Sequence, residues 1–414
     1  MRLALPHSTS LDESNFSHFV LDIVWFGLAL PATSRFLSVY AIRLGAEASD
    51  LSLLTSLPAL VLLFSASLSN WWLRRAANTK KALFWPALLF RLVFLLPAFT
   101  PFIPTHFQSV WLILSLALPA LAQGISSVVF MVLMLETVDE TRVPPLLSQR
   151  SLAMNVTLGL SGLALGVWLE KAPFPLNYQA MYVLAFGLAM VSMWHVTQVR
   201  LRPTTAPKPV AAAPAVNPWR SPAFRPVGLT SILMHLAFFS VVSLLPLHLV
   251  NNLGAGEGFM ALYGLAELTA AAVVSPFCTR ILRYISYRSL VALALTGTAV
   301  GALLIALAPS LYVTLLAAAL IGCSWAAANI ALYAFFSAAT PPEQRGAFTT
   351  AFTQVMFAGQ FLGPMIGSAL SGLHINLIII IMIGAGLRLL AATLIQSHMP
   401  DWFKRTLHLS SQPR

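Results

Sequence analysis

Charge is what this chain has least of. Only 9% of its 414 residues are Asp, Glu, Lys or Arg, against roughly 25% in a soluble globular domain. So few charges cannot cover a soluble surface, which excludes a cytosolic enzyme and a disordered chain. Cysteine is nearly missing as well. Cys278 and Cys323 are the only two, too few for a disulfide scaffold or a cysteine metal site. Both fall in apolar runs, where a thiol packs as a small hydrophobe. Catalytic signatures are also missing: no His-Glu-x-x-His, no Gly-x-Ser-x-Gly and no Walker loop. A polytopic membrane enzyme and direct drive by ATP have nothing to stand on, and no motif asks for a cofactor or metal.

Apolar residues fill the space, at 58% of the chain. That is enough for about twelve spans of about 20 residues, the length that crosses a bilayer core. Bounded by charges and Pro/Gly clusters, twelve candidate spans read as 17–40, 51–73, 82–103, 109–136, 151–169, 178–198, 227–250, 258–279, 289–308, 310–338, 347–372 and 375–398. Runs such as Leu377-Ile-Ile-Ile-Ile-Met-Ile do not alternate, so a membrane barrel is excluded. Helices close all their backbone hydrogen bonds internally, as lipid demands. Asp12 and Glu13 precede the first run, which is too long for the apolar core of a cleavable signal and reads as the first span.

The formal net charge of +11 reflects topology rather than nucleic acid. An even span count puts both termini on one side. With that side cytoplasmic, the inner segments hold 19 of the 24 Lys and Arg, the outer loops hold only Arg43 and Lys171, and Arg35, Arg91 and Arg388 lie within spans. Cytoplasmic loops carry this excess in membrane proteins. The expectation is a multi-pass protein of the plasma membrane with cytoplasmic N- and C-termini, working as a monomer among membrane lipids.

Residues 200–226 contain seven prolines and five basic residues. Proline at that density builds no helix, so they read as a cytoplasmic linker. The linker separates a six-span bundle over 1–199 from a second over 227–414, which ends in a short tail. It is also the longest soluble piece, too short for the domain a sensor would carry. The halves echo each other. Val143-Pro-Pro-Leu-Leu-Ser-Gln-Arg150 reads as the loop after span 4, and Thr340-Pro-Pro-Glu-Gln-Arg345 as the loop after span 10. Arg75-Ala-Ala-Asn-Thr-Lys80 and Arg283-Tyr-Ile-Ser-Tyr-Arg288 match at the 2–3 and 8–9 loops. Duplicated units of this kind build many transporters.

Twelve spans split six and six, with a basic central linker and basic 2–3 and 8–9 loops, resemble the major facilitator superfamily over nearly the whole chain. Gly359-x-x-x-Gly363-Pro364-x-x-Gly367 in span 11 resembles the glycine–proline motif of that family's antiporters. Span 5 carries Gly159, Gly162 and Gly166 without the proline. Leu21-Asp22 with Ala29-Leu30-Pro31 in span 1 resembles the helix-1 motif of its proton-driven drug exporters. In the 2–3 loop the family's glycine and aspartate are missing, so no charge-pairing role carries over there; the basic Arg75 and Lys80 remain, and with Arg283, Arg288 and Arg345 they read as conformational loops. The resemblance implies an all-α fold of two pseudo-symmetric six-helix bundles and secondary transport of a small molecule, coupled to a proton or another ion. It also implies that spans 1, 4, 7 and 10 line a central cavity. That adds Gln123, Ser126 and Ser127, and Trp325, Asn329 and Tyr333, as substrate-cavity candidates.

Embedded charge costs at least about 2.5–3.5 kcal/mol at a helix centre, so each such residue needs a partner or a task. Asp22 shares a helical face with Trp25, Phe26, Ala29 and Thr33. It reads either as a proton or cation–substrate site or as a structural partner of Arg91. Glu267, with no counterpart in span 2, reads as a proton acceptor or as a bridge to Arg388. Arg35 lies about 220° round the helix from Asp22; it reaches either headgroups or an anionic substrate group. His235 is a titratable group or a packing residue. The glycines at 162, 166, 359, 363 and 367 let helices approach closely and slide. These residues give the expectation of proton-coupled efflux of amphipathic or cationic compounds, with a metabolite- or sugar-type importer or facilitator as one alternative and a non-transporting polytopic sensor or enzyme as another.

Overall fold

The structure is a computed structural model that describes residues 10–201, 217–341 and 344–397. Most of the proline-rich segment, residues 202–216, and the C-terminal tail with Lys404, Arg405 and Arg414 lie outside the described residues. Among the described residues every regular element is helical.

The first bundle has six long helical segments. α1 runs Ser10–Ala29 and continues through Pro31–Ser34 and Phe36–Arg43; α2 is Ala48–Arg75. α3 is Thr79–Arg91, extended by turns at Leu92–Phe94 and Leu96–Phe102; α4 is Gln108–Thr137, α5 Val143–Lys171 and α6 Leu176–Gln198. In the second bundle α7 is Phe224–Val242, extended by Leu245–Leu247 and a π turn at His248–Asn252. α8 is Glu257–Ile281, α9 Tyr287–Ala306, α10 Leu311–Ala339, α11 Arg345–Gly372 and α12 Leu377–Ser397. Among the described residues nine helices are long and apolar enough to cross a membrane, and ten if the bent α3 counts as one span. The broken α1 and the more polar α11 bring the arrangement to one consistent with twelve.

Two boundaries depart from the sequence reading. Val143–Arg150 is not a loop but the first two turns of α5. Pro144 and Pro145 occupy the first turn, where a helix has no N–H to lose. The linker also ends before Pro226, because α7 already begins at Phe224. The break in α1 comes from Pro31, which lacks the N–H that would bond the turn before it.

The helix ends carry a clear charge asymmetry. One end bears the α2–α3 and α8–α9 connections, with Arg283 in the second of them and Arg74, Arg75, Lys80, Lys81 and Arg288 in the adjoining helix turns, so Arg288 is a helix residue rather than the loop residue the sequence suggests; we call this the basic end. The opposite end bears Arg43 and Lys171. The apolar core is distributed unequally between these ends. At the opposite end one cluster runs through both bundles, from Phe36, Tyr40 and Tyr178 to Leu249, Ala255 and Ile321. At the basic end each bundle has its own cluster, around Phe19, Leu83 and Leu133 in the first and Phe224, Leu295 and Phe348 in the second. The bundles meet along α2–α11 and α5–α8. A shared apolar core therefore joins them at the opposite end, and at the basic end each bundle keeps a core of its own. Outward-facing Trp85, Leu118, Leu160, Leu184 and Leu316 are all more than half exposed, as lipid-facing positions are in a bilayer.

Candidate functional site

Three groups of embedded charge organise the interior. The first surrounds Asp22 on α1, which is 4% exposed. Ser192 of α6 donates to its Oδ1 at 2.6 Å, Arg150 of α5 donates from Nη1 to its Oδ2 at 3.0 Å, and Arg91 Nη2 of α3 stands 3.7 Å from Oδ1. Arg91 is itself buried and satisfied, donating to the carbonyls of Ala189 and Ala87 and to Ser192 Oγ at 2.8–2.9 Å. Arg150 also donates from Nη1 to the Phe19 carbonyl and lies over the Phe130 ring at 4.8 Å. Asp22, Arg91 and Arg150 line a cavity of about 300 Å³ with Phe26, Phe90, Phe130, Gln123, Ser126 and Ser127. The two serines back-bond to their own helix at Gln123 and Gly124, so their lone pairs and the Gln123 amide supply the cavity's neutral polarity. Beside the cluster, His18 and His195 face each other at 3.1 Å through Nδ1. Trp25 and Thr33 do not line this cavity; Thr33 bonds back to the Leu30 carbonyl at 3.3 Å, at the break in α1.

The second group bridges the bundles. Arg35 Nη1 of α1 donates to Glu267 Oε2 of α8 at 2.6 Å, and the two line a smaller cavity of about 230 Å³ with Ser38, Thr55, Ser243 and Tyr263. Closer to the opposite end, Arg43 donates from Nε and Nη2 to the two Glu257 oxygens at 2.9 and 3.2 Å, and Tyr178 O–H donates to Glu257 at 3.1 Å. The bundles approach closely here because Gly166 faces α8. A Cβ at that position would stand 2.5 Å from Ala261 Cβ and 3.0 Å from the Glu257 carbonyl.

This second group corrects two readings. Glu267 is bridged by Arg35, not by Arg388, and Arg35 reaches an acid rather than headgroups. Helix azimuth cannot be extrapolated through the Pro31 break, and that break sets where Arg35 points. Arg388, the third group, is fully buried in the second bundle and has no acidic partner among the described residues. It donates to the carbonyls of Thr298 and Phe238 at 2.8 and 2.9 Å and lies 5.0 Å from the Phe238 ring.

The remaining candidates are dispersed. His235 is 1% exposed, with Nδ1 2.8 Å from the Ser231 carbonyl, and lines neither charged cavity. Trp325 stacks on Phe238 at 3.7 Å and meets His235 edge-on. Asn329 donates back to the Trp325 carbonyl, and Tyr333 is half exposed with its hydroxyl 3.8 Å from Met356 Sδ. Arg75 stacks on Trp71 at 3.8 Å and Lys80 donates to the Val199 carbonyl at 3.0 Å. Arg283 is exposed, while Arg288 is buried beside Phe335. Arg345 opens α11, and its side chain lies outside the described residues. Gly359 and Gly363 face α7, where a Cβ would press on His235 and Phe239 at 2.6 and 2.8 Å; Gly367 faces the Ser240 carbonyl, and Pro364 lies within the same helix. Gly162 faces Pro31 of α1 at 4.0 Å. Arg150, Ser192 and Glu257 are the site residues the sequence reading missed. Arg150 was legible from a Pro-Pro pair read as a helix start instead of a loop.

An all-helical membrane protein with two bundles, joined at one end by ion pairs and carrying a charged cavity, belongs to the class of polytopic transporter folds. The model of the Major Facilitator Superfamily matches residues 16–364 and 227–406, and the chain belongs to that family. No curated protein matches it. Among solved structures it is similar to the inward-open xylose transporter XylE from E. coli, at 13% identity and a TM-score of 0.69 over 93% of this chain and 96% of that one. It is similar to the POT family transporter PepTSo, at 11% identity and 0.72 over 95% and 98%. It is also similar to the nucleoside transporter NupG, at 12% and 0.71 over 94% and 100%. At these identities the likeness is one of fold.

Proposed function

We propose that this protein is a secondary active transporter that exports an amphipathic small molecule by alternating access, coupled to proton entry. The observation that carries the proposal is the 2.6 Å Arg35–Glu267 pair. It joins the two bundles near the end where they share one apolar core, which we read as the closed end, with the basic end as the open one. Rocking the bundles to open the opposite end pulls the pair apart. That leaves a carboxylate uncompensated in a low-dielectric cavity, a costly state that proton uptake relieves. Closing the same end returns Arg35 to Glu267 and expels the proton toward the basic end, where substrate loads.

The excess of Lys and Arg makes the basic end cytoplasmic, with both termini on that side of the plasma membrane. Proton entry and substrate exit then share one cycle. The two six-helix bundles act as the rocking units of a monomer, with the proline-rich segment before Phe224 as their linker. Asp22 sits wholly within the first bundle, so rocking does not separate it from its partners. Its role is at the substrate cavity, not at the coupling pair. The second reading is an importer or facilitator, favoured by the D-xylose–proton symporter and the nucleoside transporter among the similar structures; the direction of coupled flux separates the two.

The test is flux in proteoliposomes, using compounds that a thermal-shift screen of purified protein identifies. Glu267→Gln should abolish accumulation driven by a pH gradient and spare exchange without one. Unchanged gradient-driven accumulation in that variant would reject the coupling assignment.

A further inference from the structure

The cavity in the first bundle has an unbalanced charge. Its lining contains two guanidinium groups, Arg91 and Arg150, and one carboxylate, Asp22. Arg91 spends all its nitrogens on Ala189, Ala87 and Ser192. Arg150 does not: among the described residues its contacts to Phe19 and Asp22 use Nη1 alone, which leaves Nε and Nη2 as donors for a ligand. The neighbouring histidines, His18 and His195, add nothing negative.

A positive charge inside a membrane-embedded bundle needs an anion or a set of carbonyls to answer it; carbonyls serve Arg388 and Arg91, whereas Nε and Nη2 of Arg150 have neither among the described residues. The rest of the lining says what kind of anion. Three phenylalanines, Phe26, Phe90 and Phe130, form the apolar wall, and Gln123 offers a neutral polar contact. An inorganic ion would leave that wall and most of the roughly 300 Å³ empty. A cation would add to the surplus. A planar carboxylate matches the guanidinium fork in geometry.

We infer that the cavity beside Asp22 binds a small organic monoanion with an apolar body of about aromatic-ring size, with Arg150 as its counter-charge and Asp22 as the resident competitor for that arginine. The inference rests on the reading of the chain as a transporter and names the substrate class of its first bundle. Asp22 keeps Arg150 neutralised while the cavity is empty, and a bound carboxylate shares the fork with it.

The probe is benzoate, set against benzamide and benzylamine, which share its ring but are neutral and cationic. Full-length purified protein in chloride-free buffer is titrated with each, and the unfolding midpoint and binding heat are read. Benzoate should give a saturable upward shift, and the other two should not. Asp22→Asn frees Arg150, so it should tighten benzoate on the order of tenfold. Arg150→Gln should lose the binding, and Arg150→Lys, which keeps the charge and loses the fork, should weaken it. If Arg150→Gln fails to fold, Arg150→Lys and the contrast of benzoate with benzamide on the unaltered protein carry the test, because a merely structural ion pair gives no saturable, carboxylate-selective shift while its acid is in place. Equal shifts with benzamide, stabilisation by benzylamine, an equal shift from chloride alone, or no tightening in Asp22→Asn would each overturn the inference. The titration uses no gradient. Anion binding with failed pH-driven flux therefore defeats only the coupling proposal, and intact flux without anion binding defeats only this one.

Discussion

Glu257→Gln is the sharpest perturbation of the closed end. The carboxylate is 9% exposed and accepts two bonds from Arg43 and one from Tyr178. The substitution keeps the shape and one neutral acceptor but removes the charge. Hydrogen bonds to charged groups contribute about 1.5–3 kcal/mol each. Arg43 is 41% exposed, so solvent screens its share, and the loss comes to about 2 kcal/mol. All of it falls on the state closed at this end, because opening separates Arg43 from Glu257. The population open at this end should rise roughly thirtyfold, at tenfold per 1.4 kcal/mol. The readout is maleimide labelling of a cysteine placed at Ala255, which is 1% exposed between the bundles, with Cys278 and Cys323 replaced. When closure outpaces labelling, the rate tracks the open population. A change below about threefold in a folded variant would refute the assignment of this pair to the gate.

Packing sets three further outcomes. Gly322→Ala places a methyl against the Glu267 backbone and should cost about 1–3 kcal/mol by overpacking, seen as a lower unfolding midpoint. Gly187→Ala, with nothing within 4 Å of the new methyl, should be neutral or stabilise by up to about 1 kcal/mol. Trp325→Ala removes a ring stacked 3.7 Å from Phe238 and should cost about 3–5 kcal/mol in the same melt.

The spans were legible because lipid leaves the sequence little choice: long apolar runs, and basic residues at one set of ends. The places where it misled have local causes. Pro144-Pro145 has a turn signature as well as a helix-start signature, and reading it as a loop hid Arg150 from the Asp22 cluster. The Pro31 break rotates the outer part of α1, so Arg35 looked unpartnered although Glu267 lies 232 positions away in the chain. Arg388 looked like an ion-pair partner because embedded charge usually has one; carbonyls of α7 and α9 serve it instead. Periodicity places a residue on its own helix, but not against another bundle.

The central claim is that the two ends open reciprocally. Spin labels at Lys171 and Tyr312 report the opposite end, and labels at Ala77 and Tyr284 report the basic end; each pair spans the two bundles on exposed positions. Paired electron–electron distance measurements on wild type and Glu267→Gln test it directly. In Glu267→Gln the first distance should lengthen as the second shortens, relative to wild type. Distances that stay fixed, or that lengthen at both ends together, would contradict the account.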